Sequence, residues 1–576
     1  MAKKLKHNPI PWDFLAAYKG KFFNGEWPSL TEMFDITTER YPDNRCFECF
    51  QPEHVVFTYK EAQSILRKLA NFLAKSGVRH GDRVGVTGKN SPEWAFAYFA
   101  ALYAGAVIVP VDSALPINEI QHLMEFAEVK VFFADNDKLK KLTVAGAQPY
   151  SLEKGGELPY ILDLQCEEEQ EIQSATCEEM AAILFTSGTT GTPKGVMLSH
   201  RNLVADCYRA QGHMNIYSTD VFYAILPIHH AYTMLAVFIE AMSVGANLVF
   251  GKKLVVSAIF RELKEAHVTM FLAVPMLYNK LISALMNGVK EKGPIVNGLI
   301  HFMMGISGFC KKFLHFNPGK KMFGFLLDKV SLKDNRICIS GGGPLPSSTF
   351  KMFNQLGIDF VQGYGLTETA PILTLNPIFD YQEDSIGKPL PGIECKVVDP
   401  DEDGNGVLYF RGENVMMGYY KNPEATAEVL DADGWINTGD VGHIGARNFV
   451  YLTGRAKNII VTEGGKNVFP EEIEDSFQLY YDIDQICCVG FITDKALKAE
   501  AVCALVHPSD ECRKKISDPA ELKAHIQEII DTVNKTLQPY QRIRKLIIVD
   551  EPMEMSSTKK LKRFVVMKQY KDQINE

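Results

Sequence analysis

Arg83-Val-Gly-Val-Thr87, Ser91-Pro92 and Ala106-Val-Ile-Val-Pro-Val111 decide the fold class. The first and last are short apolar runs that read as strands. Between them Ser91 offers an N-cap hydroxyl and Pro92 a fixed φ at the first helical position, so a helix opens there and runs to about Gly105. Upstream, Ala62, Ile65, Leu66, Leu69, Ala70 and Leu73 recur at helical spacing until Gly77 stops them. Strand, helix and strand at this pitch mean βαβ units on a largely parallel sheet. Short apolar strands return at Ala181 to Phe185, at Leu248 to Phe250 and at Ile337 to Ser340, and the expected class is α/β.

Further along, the pattern changes. Between about Ser385 and Gly454 short apolar runs alternate with turn signals such as Pro389-Leu390-Pro391-Gly392 and Asp403-Gly404-Asn405-Gly406, which predicts a small β subdomain. After Arg455 the mixture resumes, with strands near Ile459 to Val461 and Ala501 to Val506 and a helix near Pro519 to Leu537. The predicted division is an N-terminal domain, 1–454, containing the β subdomain at about 385–454, and a smaller α+β C-terminal domain, 455–576.

Composition narrows the function classes. Of 576 residues 46% are hydrophobic and 23% charged, ordinary globular values that exclude a disordered or collagenous chain. The net charge of −9 gives no basic excess for a nucleic-acid backbone, so no nucleic-acid partner is expected. Met1-Ala-Lys-Lys-Leu-Lys has no apolar run behind it, and twelve scattered cysteines suit a reducing cytoplasm. Cys46-Phe-Glu-Cys49 lacks a second pair or a nearby histidine cluster and is read as structural, with no metal. Met234 to Gly251 is apolar but carries Glu240, and reads as a buried helix running into a strand rather than a membrane span.

The chemistry begins at Phe185 to Gly195. Thr186, Ser187, Gly188, Thr189, Thr190, Gly191 and Lys194 offer backbone N–H groups, hydroxyls and one cation at the end of an apolar strand, the means to hold a polyphosphate. The spacing is not that of a Walker A loop, and Lys194 is followed by Gly195.

This loop resembles the phosphate-binding signature of the adenylate-forming superfamily of acyl-CoA synthetases, luciferases and peptide-synthetase adenylation domains. Ser340-Gly341-Gly342-Gly343-Pro344 then resembles its adenine-side turn and Gln362-Gly363-Tyr364-Gly365-Leu366-Thr367-Glu368-Thr369 its central motif. Gly434 to Asp440, Gly454-Arg455-Ala456-Lys457, Gly464-Gly465-Lys466-Asn467 and Lys560 follow in the family's order. The resemblance implies ATP, Mg²⁺ and coenzyme A as ligands, and a C-terminal domain that turns as a lid about Lys457. Tyr364 offers a flat ring for adenine, Gly341, Gly342 and Gly343 a bare backbone, Asp440 two acceptors for ribose hydroxyls and Arg455 a fork of donors. Glu368 is the hard oxygen donor suited to Mg²⁺, with the Thr367 hydroxyl beside it. Catalysis is assigned to Lys560, Glu368, His230 and Thr186, and passage of the pantetheine arm to the loop at Gly464 and Gly465.

Within the family, Ser556 to Arg563, Ile459 to Glu474 and an apolar and basic insertion between about Asn279 and Leu332 resemble the long-chain fatty acid-CoA ligases. Lys559 stands where many relatives have a glycine. Neither His230 nor Ala231 supplies the aspartate that pairs a substrate amine in amino-acid-activating relatives, which points away from an amino acid. The expected activity is ATP-dependent conversion of a fatty acid to an acyl-adenylate and then to a CoA thioester. A carrier-protein thiol as acceptor and a non-catalytic acyl- or nucleotide-binding role are the alternatives. The insertion reads either as a core helix or as an amphipathic surface, with at most peripheral contact at the inner membrane face.

Overall fold

The computed structural model of the chain describes residues 10–186, 193–252, 255–462, 466–494, 499–555 and 561–575. Ser91 Oγ accepts the Trp94 amide at 3.1 Å and Pro92 heads the helix Pro92–Tyr103, so the cap read from sequence forms. Gly105, at φ +71°, reverses the chain into strand Val107–Pro110. Only glycine suits that position, because a side chain would also run into the Gln173 carbonyl. Arg83–Thr87 then pairs parallel with Val107–Pro110, Val84 opposite Ile108.

Every residue of that helix from Trp94 to Leu102 is buried. A helix apolar on every side needs a partner on every side, and it lies between two sheets. Below it is a seven-stranded sheet in the order Gly418–Tyr419, Lys194–Ser199, Met180–Thr186, Val107–Pro110, Arg83–Thr87, Val129–Ala134, Gln148–Ser151. Above it is a nine-stranded sheet, reached through Phe96, which meets Phe47 of strand Arg45–Cys49 edge-on at 5.4 Å. The nine-stranded sheet has a parallel centre, Asn247–Phe250, Val221–Ala224, Met270–Ala273, Ile337–Ser340 and Asp359–Tyr364. Its strands therefore end on one side, where open α/β sheets bind ligands. The motifs at 226–232, 341–343 and 364–369 all begin there.

The apolar run from Met234 does form a buried helix, Met234–Ile239 continuing as Glu240–Val244, that turns at Gly245 into strand Asn247–Phe250. Among the described residues no helix is long and apolar enough to cross a membrane. None of the cysteines is joined in a disulfide.

In the stretch expected to be a β subdomain, four antiparallel strands do run from Glu394 to Arg455. Two of its segments leave: Lys388–Pro389 closes the edge of the nine-stranded sheet and Gly418–Tyr419 that of the seven-stranded one. Towards the C-terminus a three-stranded sheet of Ile483–Asp494, Ala499–Pro508 and Ile543–Ile548 carries the helix Pro519–Asn534.

Candidate active site

Thr186 and Lys194 face each other across the antiparallel pair Met180–Thr186 and Lys194–Ser199. Ser187, Gly188, Thr189, Thr190 and Gly191 lie outside the described residues, as do Gly464, Gly465 and Lys560. Strand Gly418–Tyr419 is bonded to the far edge of this pair, Tyr419 opposite Val196, and the Tyr420 amide donates to the Gly195 carbonyl at 2.7 Å. That pairing sets the Tyr419 ring against the Lys194 ammonium, 4.7 Å from ring centroid to Nζ. The Tyr419 hydroxyl in turn donates to Glu368 Oε1 at 2.9 Å. Burial and the nearby Glu368 charge push its pKa above the usual phenol range, so it remains a donor.

Glu368 sits in the short 3-10 turn Thr367–Thr369. The hydroxyl that caps this turn is that of Thr369, which accepts the Leu366 amide at 3.0 Å, and not that of Thr367. Four residues earlier, Tyr364 ends its strand and donates its hydroxyl to Asp440 Oδ2 at 2.6 Å. Asp440 lies opposite Arg455 across the pair Ile436–Ile444 and Val450–Arg455, and Arg455 Nε approaches Asp440 Oδ1 to 3.1 Å. Burial, and then the charge of Asp440, push the Tyr364 phenol well above its ordinary pKa. One segment, 364–368, thus carries both the head of a tyrosine–aspartate–arginine chain and a carboxylate bonded to a tyrosine whose ring faces a lysine.

The glycines divide by what surrounds them. A Cβ on Gly341 would lie 2.7 Å from the Tyr232 ring, and one on Gly363 would lie 2.6 Å from Leu375 Cδ2. At Gly365 it would strike the Pro371 carbonyl. These three are needed for the protein's own packing. A Cβ on Gly342, at φ +79°, would meet nothing within 4 Å and one on Gly343 only Pro275 Cγ at 3.8 Å, so of these five glycines these two present bare backbone.

The segment holding His230 is clamped from the other sheet, by the turn after strand Arg83–Thr87. Asn90 donates to the carbonyls of Ala224 and Leu226, both at 2.9 Å, and accepts the Ile228 amide at 3.1 Å. His230 precedes the short helix Ala231–Thr233, with its ring 4.2 Å from that of the buried His229. His229 Nε2 lies 3.4 Å from Asp112 Oδ1. Asp112, His229 and His230 each bring one possible ligand atom within 4.8 Å of the others, a set that could hold a metal ion. Asn90, Asp112, His229, Tyr232 and Tyr419 were not picked out from the sequence. Only His229 had a visible signal, its place next to His230.

Lys457 is exposed in the 3-10 turn Ala456–Asn458 that follows Arg455. Beyond it the chain folds back onto the turn after Gly343: Gln478 Nε2 donates to the Pro344 carbonyl at 3.2 Å and Gln478 Oε1 accepts Asn279 Nδ2 at 3.3 Å. In the basic run at 559–563, Lys562 pairs with Glu554 at 2.6 Å and Arg563 with Glu474 at 2.7 Å. Those two cations serve the chain itself.

Comparison with known proteins gives concordant matches. Residues 34–420 match the family model of AMP-binding enzymes, and residues 457–576 that of the AMP-binding enzyme C-terminal domain. The long-chain-fatty-acid–CoA ligase ACSBG2 of Rattus norvegicus is 28% identical, the match covering 90% of this chain and 88% of that protein. The chloroplastic long-chain-fatty-acid–[acyl-carrier-protein] ligase AEE15 of Arabidopsis thaliana is 25% identical over 96% of this chain and 87% of its own. Among solved structures, ATP-bound MatB from Rhodopseudomonas palustris superposes with a TM-score of 0.75 at 25% identity, covering 95% of this chain and all of that one (100%). MenE from Bacillus subtilis, in complex with ATP and magnesium ion, superposes at 0.72 and 22% identity over 93% of this chain and 99% of that one, a likeness of fold.

Proposed function

The chain belongs to the AMP-binding enzyme family, and from that premise we propose that it activates a fatty acid with ATP and transfers the acyl group to coenzyme A. The observation that supports this most is the 364–368 segment, where a ribose-binding set, Tyr364, Asp440 and Arg455, adjoins a phosphate-facing set, Lys194, Tyr419 and Glu368. In the first half-reaction a carboxylate oxygen attacks the α-phosphorus of ATP and pyrophosphate leaves. In the second a thiolate attacks the acyl carbonyl and AMP leaves. Two anions meet in the first step, so its barrier falls when fixed positive charge offsets them.

Lys194, Lys560 and the amides of the 187–191 loop are the groups given that role, with Thr186 at the strand end that opens the loop. Gly342 and Gly343 are the places where backbone comes close to the base. The Glu368 carboxylate and Thr367 hydroxyl are hard oxygen donors beside the Thr186–Lys194 strand pair, a set that fits Mg²⁺; when bound, that ion would supply further positive charge to the phosphates. His230, held by the Asn90 clamp, lines the carboxylate end. In the same reading, residues 455–576 turn about Lys457 as a lid, and the pantetheine arm enters past Gly464 and Gly465. The fatty acyl substrate is supported by the long-chain relatives and by the lack of an aspartate at Ala231.

A carrier-protein acceptor is the second reading, because the Arabidopsis relative carries that name. The experiment is fatty acid-dependent exchange of labelled pyrophosphate into ATP, followed by transfer to coenzyme A or to a holo-carrier protein. Exchange with long-chain acids and thioester formation on coenzyme A is the expected result. Thioester on the carrier alone selects the second reading, and no exchange with any carboxylic acid overturns both.

A further inference from the structure

Helix Pro294–Leu314 has an inner face that fixes how it is turned. Ile300, Met304, Ser307 and Lys311 are buried at i, i+4, i+7 and i+11, and the Lys311 ammonium is fully engaged: 2.7 Å from Asp359 Oδ1, 2.7 Å from Asn354 Oδ1 and 2.9 Å from the Ile358 carbonyl. The opposite face of a surface helix is normally polar. Here it carries Ile295 (85% exposed), Leu299 (55%), Phe302 (67%), Ile306 (44%), Phe309 (57%) and Phe313 (64%). These fall at i, i+4, i+7, i+11, i+14 and i+18, which is a single stripe about 27 Å long at 1.5 Å per residue. Past the left-handed cap at His315, Phe316 (58%) and Phe325 (55%) of helix Gly319–Lys329 add to the apolar surface.

Along the chain that carries the stripe charge has one sign, with Glu291 and Asp328 standing just outside it. From Lys292 to Leu327 there is no aspartate or glutamate, and there are five lysines. Lys311 and Lys312 are paired, the latter with Glu383 at 3.1 Å, while Lys292 before the stripe and Lys321 after it are exposed. His301 and His315 are exposed as well. A convex aromatic ridge with cations at both ends fits the interface of a bilayer whose headgroups are negative, where rings settle at the acyl boundary and lysines reach phosphates. It does not fit a span, because Lys311 is tied to the protein on the inner side.

We propose that the outer face of Pro294–Leu314 docks, parallel to the plane of the membrane, on a lipid surface containing anionic phospholipid. This stands independently of the reaction proposed above. The test uses the full chain and sedimentation with vesicles of phosphatidylcholine plus phosphatidylglycerol or of phosphatidylcholine alone. Wild type is expected to bind the anionic vesicles, less so at high salt, and the uncharged ones weakly. The triple change Phe302→Ser, Phe309→Ser, Phe313→Ser should lower the partition coefficient at least about a hundredfold and leave the melting temperature in place, since the three rings touch solvent rather than core. Phe309→Trp should blue-shift its fluorescence on anionic vesicles only. Absence of vesicle binding by wild type, undiminished binding by the triple variant, or equal binding to both vesicle types overturns the proposal. A wild-type dimer that the triple variant converts to monomer, without vesicle binding, assigns the stripe to a second copy of the chain instead.

Discussion

At one end of the site both oxygens of the Asp440 carboxylate already face protein donors, the Tyr364 hydroxyl and Arg455 Nε. At the other end Lys194 and Glu368 have a tyrosine between them: the Tyr419 ring faces the ammonium and its hydroxyl faces the carboxylate. The closed end is set by bonds that exist without a ligand, so under the proposed function a ribose would find it already ordered. Its carboxylate still has lone pairs to offer, since a carboxylate has about four acceptor sites. The open end keeps its two charges from neutralising each other. A direct lysine–glutamate pair would have to be broken before either could serve phosphate or a divalent cation, whereas a cation–π contact is worth only about 0.5–1 kcal/mol at partly exposed sites. On the proposed reading, binding the nucleotide and holding its charge are thereby separated along five residues of chain.

The largest test of this contrast is Glu368→Gln. The amide keeps the volume and can still accept from Tyr419, so only the charge is lost. Pyrophosphate exchange should fall by about 10²–10³, the scale of removing one fixed charge-stabilising group, with the melting temperature unchanged. Loss of less than about threefold would mean that the open end is not waiting for a cation.

How much of this was legible follows from where each signal resides. The strand–helix–strand units were readable because Ser91-Pro92 and Gly105 are local devices whose chemistry acts within a few residues. The motif residues Tyr364, Glu368, Asp440 and Arg455 were readable by resemblance. What joins them was not. Tyr419 reaches Lys194 through a two-residue strand that leaves its neighbours to pair with a strand more than two hundred residues earlier, a long-range pairing that no local pattern encodes. The Asn90 clamp has the same character, with its partners at 224–228. The glycines show a different limit: sequence shows that a side chain is absent but not what fills the room, and at Gly341 it is the Tyr232 ring. The strand Ile543–Ile548 went unread because Arg544 and Lys545 interrupt its apolar run, as charged residues do where one face of a sheet meets solvent, whereas the uninterrupted run Ile486 to Ile492 of the long strand Ile483–Asp494 was legible and went unread.

A smaller effect is expected at the closed end. Tyr364→Phe and Asp440→Asn, singly and together, should raise the KM for ATP by about tenfold or somewhat more for the carboxylate, because a hydrogen bond to a charged group is worth about 1.5–3 kcal/mol. The sharper readout is stability without ligand. If the chain of bonds is assembled in the free protein, the double-mutant cycle should give a coupling of about 0.5–3 kcal/mol in unfolding free energy. Additive losses would mean that the closed end is not closed until nucleotide binds.

The smallest effect is expected for Tyr419→Phe, and position 419 bears most directly on the difference between the two ends. Tyr419→Phe keeps the ring against Lys194 and deletes the bond to Glu368; Tyr419→Leu deletes both. Glu368 is only partly buried, so water can take the place of the lost hydroxyl and the net loss should be about 1 kcal/mol, a three- to tenfold fall in kcat/KM for ATP. The leucine variant should fall about three- to fivefold further as the cation–π contact goes. Tyr419→Phe should leave the melting temperature in place, because the Gly418–Tyr419 strand keeps its backbone pairing with Val196 and Met197, whereas Tyr419→Leu empties a buried ring site and should lower it, so the leucine variant is assayed well below its transition. Phenylalanine acting like tyrosine while leucine does not would show that the ring alone separates the charges. Equal, unimpaired activity in both variants would show that Lys194 and Glu368 are kept apart by the backbone, and that the tyrosine between them is incidental.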